Sequence, residues 1–202
     1  MVLRPINHAS HGLDVQVNLM KMYINYHVGP PIMPKGLKQT SSVVNVSARV
    51  QESAANTFTQ EQVSLDLDPL NNEVFVVLAC DINPQFPDAI TALNTNVQAC
   101  VSTTSRTAMG FIEDSNVIAS ASCAIRAAGF ADGGVGFTQA ALETPPATLE
   151  YIGIVATNDF FVSIEGDGNL GAKAAGVRLW GYRAKADASI YAALVQSEVL
   201  SA

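Results

Sequence analysis

Glu73-Val-Phe-Val-Val-Leu-Ala-Cys-Asp-Ile82 is apolar at odd and even positions alike and rich in β-branched side chains. A strand with one wet face alternates polar and apolar residues, so a strand apolar on both parities is covered on both faces. Residues 73–82 therefore predict a central strand, its cover supplied by a second sheet or by a neighbouring subunit. Pro69-Leu-Asn-Asn72 supplies a turn before it, and Asn83-Pro-Gln-Phe-Pro-Asp88 breaks the chain after it.

Outward from this strand, the other apolar runs also have a period of two. Val44, Val46, Ala48 and Val50 share one face of residues 42–50, and Val63, Leu65 and Leu67 alternate with Ser64, Asp66 and Asp68. Residues 13–26 alternate with one phase slip near Leu19-Met20, the pattern of a strand with a β-bulge. Downstream, residues 96–102 and 106–112 read as short strands, and Glu113-Asp-Ser-Asn116 as a hairpin turn into 117–128. The alanines of that last run let another layer approach closely. Residues 148–156 and 160–165 read as strands, and Gly166-Asp-Gly-Asn-Leu-Gly171 as a turn of the hairpin kind. Val177, Leu179 and Gly181 then alternate with Arg178, Trp180 and Tyr182.

Asp187 is a good N-cap for a helix over 188–200, where Ile190, Tyr191, Leu194 and Val195 form one stripe that Val199 extends. This stripe is expected to pack on the body or on a neighbour. Residues 1–12 and 28–41 read as arms or loops, because Pro30, Pro31 and Pro34 forbid helix and interior strand. The prediction is an all-β chain, a β-sandwich of jelly-roll type with an extended N-terminal arm and a short C-terminal helix. Residues 1–41 form its leading segment of arm, one strand and Pro-rich loop, and residues 42–202 the sandwich domain.

Of the 202 residues, 49% are apolar and only 14% charged, where globular chains average about 25% charged. Mean hydropathy is +0.22, yet no run of about 18 apolar residues exists to cross a bilayer. These values exclude a helical membrane protein and a disordered chain, and they predict an exterior that is largely uncharged. The net charge of −7 is unevenly spread. Residues 1–50 hold Arg4, Lys21, Lys35, Lys38 and Arg49 against Asp14, a balance of +4, and residues 51–202 carry −11. A basic leading segment and an acidic body attract each other, within a molecule or between copies. No dense basic patch is present, so specific nucleic-acid recognition is not expected.

Candidate chemistry is sparse. His8 and His11 stand three residues apart and His27 well beyond them, with no clustered carboxylates to complete a metal site. Asp66, Asp68, Asn71 and Asn72, and likewise Asp167 with Asn169, offer oxygens of the kind calcium takes, but polar turn residues explain both groups. Gly166-x-Gly168-x-x-Gly171 has the letters of a dinucleotide fingerprint without the helix that must follow. Cys80, Cys100 and Cys123 form no C-x-x-C, and their apolar surroundings predict buried free thiols. The first residues lack the regions of a secretory signal, so synthesis in a reducing cytoplasm is expected. No nucleophile motif stands out; the expectation is a protein without catalysis, metal or cofactor.

A charge-poor β-rich coat, a leading segment with Pro30-Pro31 and glycine-marked loops at Gly133-Gly134 and Gly166-Asp-Gly168 occur together. In this arrangement the chain resembles small β-sandwich virion proteins of the jelly-roll type, such as those of viruses infecting prokaryotes. The resemblance implies a capsid-type subunit that self-assembles in many copies, possessing no catalytic residue, with other virion proteins as further partners. The contact residues expected are Arg4, Pro30, Pro31, Arg178, Trp180 and Tyr182, with Tyr191, Leu194 and Val195 on the helix. The alternative is a non-catalytic β-sandwich module that binds carbohydrate or calcium.

Overall fold

The computed structural model describes residues 34–129, 137–142 and 149–200. The expected strand over 13–26 and most of the Gly129–Gly136 stretch lie outside them. The chain divides into two units, Met1–Ile32 and Met33–Ala202, and every described residue belongs to the second.

Among the described residues, ten strands form two antiparallel sheets packed as a β-sandwich. The first sheet contains β1 (Leu37–Gln39), β2 (Val44–Gln51), β4 (Glu73–Pro84), β8 (Gly153–Val155) and β10 (Ala174–Ala186). Its order is β1-β10-β4-β8, with β2 on the same side of β10 as β1, beside the earlier part of the strand. Residues 37–39, placed by sequence in the leading segment, are thus part of the sandwich. The second sheet runs β3 (Thr59–Ser64), β9 (Asp159–Asp167), β5 (Thr95–Ser102), β6 (Val117–Arg126), β7 (Phe137–Leu142). Helix α1 (Ala188–Leu200) ends the described chain.

Between the sheets lies the main core, in which Phe75, Val77 and Leu179 of the first sheet meet Val97, Val101, Phe160, Val162 and Ile164 of the second. β4 is central, as its sequence predicts, and Val74, Phe75, Val76 and Val77 are buried. Its two faces are covered by different things. Phe75 and Val77 face the second sheet, whereas Val74 and Val76 join a separate cluster with Tyr182, Ala184 and Ala186, against which Ile190, Tyr191, Leu194 and Val195 of α1 pack. The chain's own helix is therefore the outer cover. A bulge at Leu78 adds to the pattern: Trp180 pairs with Ala79 but Gly181 with Val77, so the inward positions change parity along β4. Gly181 is required there, since a Cβ would run into the Val76 carbonyl oxygen and the Phe75 ring.

Three expectations are corrected. Residues 106–112 form no strand; they belong to an irregular loop over 103–116. Arg106 explains this, because its guanidinium bonds Asn116 Oδ1 at 2.6 Å and Asp114 Oδ2 at 2.8 Å, drawing the backbone into a closed loop instead of a ladder. Gly166–Gly171 joins β9 to β10, which lie in different sheets, so it is a corner between layers and not a hairpin. Val199 does not extend the helix stripe; it is 63% exposed, and Glu198 is buried in its place. The Glu198 carboxylate accepts from the amides of Ala156 (2.7 Å) and Thr157 (3.0 Å), which a valine could not do.

Candidate functional site

The alternation over 177–183 puts Arg178, Trp180 and Tyr182 on the outer face of the first sheet. Helix α1 divides this set. Tyr182 is buried in the cluster beneath the helix, while Trp180 is half-buried and Arg178 exposed beyond it. Directly opposed residues in an antiparallel pair share a face. The strip beyond the helix therefore comprises Arg178 between Ser47 and Asp81, and Trp180 between Asn45 and Ala79. The Arg178 guanidinium carbon lies 5.8 Å from the Trp180 ring centroid, a cation–π contact, and its Nε donates to Ser47 Oγ at 3.3 Å. Tyr191, Leu194 and Val195 are half-buried against the same molecule's sheet. Arg4, Pro30 and Pro31, with His8, His11 and His27, lie outside the described residues.

At one end of the sandwich, three connecting segments, β2–β3, β4–β5 and β9–β10, are tied into a single polar cluster. Glu52, almost fully buried, accepts from the amides of Gly166 (2.7 Å), Lys173 (2.7 Å) and Thr57 (3.1 Å). Asn169 is also buried: its Oδ1 accepts from Asp88 N at 2.9 Å, and its Nδ2 donates to Asn96 O at 2.7 Å. Its backbone exchanges two bonds with the Asn56 amide group. Asp88 pairs with the Lys173 ammonium and accepts from Leu170 N, and both hold its carboxyl below the usual range. Gly168 takes a φ of +70°, which a side chain would resist.

On this tied framework sit exposed apolar side chains. Leu170 is 82% exposed and Phe86 71%, with Leu93 beside Gly168. Loops carrying such residues are ordinarily free to turn them inward; here the hydrogen bonds of Asn169, Asp88 and Glu52 fix the backbone that presents them. The sequence shows Asp167-Gly-Asn169 as turn chemistry, and Asn169 does serve the turn. What sequence cannot show is that Glu52 and Asp88, far away in the chain, bond to the same corner.

A second feature lies on the outer face of the second sheet. The 103–116 loop folds over that sheet and buries Met109, leaving a groove of about 400 Å³ lined by Asn96, Gln98, Glu165, Asp167, Met109 and Phe111. Asn96 Oδ1 is buried there without a hydrogen-bond partner. Cys100 and Cys123 are buried and free, with burial raising both thiols' pKa, and Cys80 is half-buried. Asp68 caps the short 3₁₀ turn Pro69–Asn71, accepting from Leu70 N, and Asn72 closes that turn in the left-handed region. Among the described residues no group of three potential metal ligands occurs. No model of a protein family matches the chain, and a comparison with curated proteins finds no relative.

Proposed function

We propose that this chain is a structural protein that self-assembles in many copies into a virion shell, a capsid-type subunit whose sandwich is of the jelly-roll type. The observation that carries the reading is the apolar tip: Phe86, Leu93 and Leu170 are held out to solvent on loops that a buried polar network immobilises. A preorganised apolar patch loses little conformational entropy when it docks, and anchors of this kind concentrate the energy of an interface. Repeated contacts between identical copies cover such patches, and closed symmetry stops growth without end. The Arg178–Trp180 strip supplies a second surface of the same use. Arg4, Pro30 and Pro31 are assigned to contacts between copies, and other virion proteins to the remaining surface. The reading gives the chain no catalysis, no cofactor and no specific nucleic-acid recognition, and places it in the virion after synthesis in a host cytoplasm. Negative-stain microscopy of the purified chain tests it: uniform closed particles or tubes are expected, and a field of separate small molecules at high concentration contradicts it.

The groove over the second sheet favours a different reading, a non-catalytic binding module. Amides and carboxylates beside Phe111 suit a sugar or a calcium ion, and about 300–1,000 Å³ is the usual size of a ligand pocket. Glycan binding, or a melting point raised by calcium, would support that reading over assembly.

A further inference from the structure

We propose that the open edge of β2 pairs antiparallel with β2 of a second copy, joining two first sheets across a twofold axis beside Ser47. The inference rests on the self-assembly reading and names one of its contacts. β2 runs against β10 over eight consecutive positions, Val44–Gln51, with no shift of register. Among the described residues no strand pairs with its other side.

The backbone groups facing that side can be identified. Glu52 N donates to Lys173 O at 2.9 Å, so Glu52 and the residues in phase with it, Val50, Ala48, Val46 and Val44, direct their peptide groups toward β10. Across β10, Gln85 N donates to Ala174 O at 2.9 Å, which fits the same alternation. Asn45, Ser47, Arg49 and Gln51 therefore direct their N–H and C=O groups outward.

Proteins ordinarily blunt such an edge by shortness, proline, charge or a bulge. β1 and β8 have three residues each, and β3 places Glu61 on the inner face, opposite buried Val162. β2 is long, regular and free of proline, with Arg49 its single charge, and its leading end exposes Val43 (54%) and Val44 (43%).

The strand is also complementary to itself. Keeping inner faces together requires like-facing residues to oppose each other, because a one-residue slip would set core side chains against wet ones. With Ser47 on the axis, Val44 opposes Val50 and Val46 opposes Ala48 on the inner face, while Asn45 opposes Arg49 and Ser47 its own copy outside. No like charges meet. The outward-directed residues face each other as hydrogen-bonded pairs, each exchanging both N–H···O bonds. Centring the pairing on Ala48 would leave exposed Val44 without a partner. In the proposed register the two Arg178–Trp180 strips become parts of one continuous outer face, since Arg178 and Trp180 lie directly across from Ser47 and Asn45.

Two substitutions test the contact in the full chain. In Ser47→Cys the two thiols would sit on Cα atoms about 5.5 Å apart, within reach of a disulfide or a short bis-maleimide. Cross-linked dimer is expected for this variant and not for wild type or Glu61→Cys. Ser47→Pro removes the outward N–H and the Oγ that accepts from Arg178 Nε but no backbone bond to β10, so its melting temperature should fall no further than that of Ser47→Ala while assembly is lost. Particles that form with the introduced thiol unlinked, and a Ser47→Pro chain that assembles like wild type, would overturn this contact and leave the self-assembly reading standing. An introduced thiol shielded from a soluble reagent in the monomer would show the edge covered by the chain's own residues, and would overturn it as well. A wild-type chain that never leaves the monomer overturns the self-assembly reading itself.

Discussion

Glu198 lies near the end of α1, and its carboxylate bonds the two amides that lead from β8 into β9. Burial raises its pKa above the ordinary 4.5, outweighing the N–H donors that favour its charge. The sign follows: the folded state holds the proton more tightly than the unfolded chain, so this group's contribution falls as pH rises from 4.5 through the raised folded value. Measured by denaturation across that interval, wild type is expected to lose stability relative to Glu198→Gln as pH increases, and a difference independent of pH would contradict the assignment. Asn169 makes a simpler prediction. Asn169→Ala leaves Asp88 N and Asn96 O without this partner, which should cost about 2–3 kcal/mol in a urea titration. Neither role is legible in the sequence. Glu198 looks like a solvated helix acid beside an apolar Val199, and Asn169 looks like a turn residue. Their partners are 42 and 81 positions away, beyond any local pattern.

At the scale of elements, side-chain period was far more informative. The span Ala188–Leu200 for α1, the stripe of Ile190, Tyr191, Leu194 and Val195, and the centrality of β4 all follow from side-chain periodicity. The pairing between those two facts does not. Apolar positions on both parities of β4 require a second cover, and the helix stripe requires a face to cover, but nothing in either stretch says that each answers the other. The 103–116 loop fails for a related reason: the β-like residues 106–112 are overruled by one arginine that bonds its own loop. Because the helix is half-buried, Tyr191→Ala and Leu194→Ala should each cost about 1–2 kcal/mol. The double variant should also bind a hydrophobic dye, as the Val74–Val76–Tyr182 face becomes accessible. Thermal melts that match wild type, with no gain in dye binding, would show that α1 contributes nothing to covering β4.

For the molecule as a whole, the decisive quantity is how much of its apolar exterior water tolerates. Only 14% of residues are charged, and the described surface exposes Phe86, Phe111, Ile112, Leu170 and others. Composition made that coat legible, and alternation set Arg178 and Trp180 on one face; the tied tip and the open edge came only from the fold. Phe86→Ser with Leu170→Ser alters side chains that are already in water. Melting temperature should therefore stay put while the fraction assembled drops, and an unchanged fraction by sedimentation would remove the tip from the contact. The most direct measurement is the mass of the purified wild-type chain by multi-angle light scattering as concentration rises. The account predicts a discrete species many times the chain's 21.3 kDa; a constant mass of one chain at every concentration would contradict it.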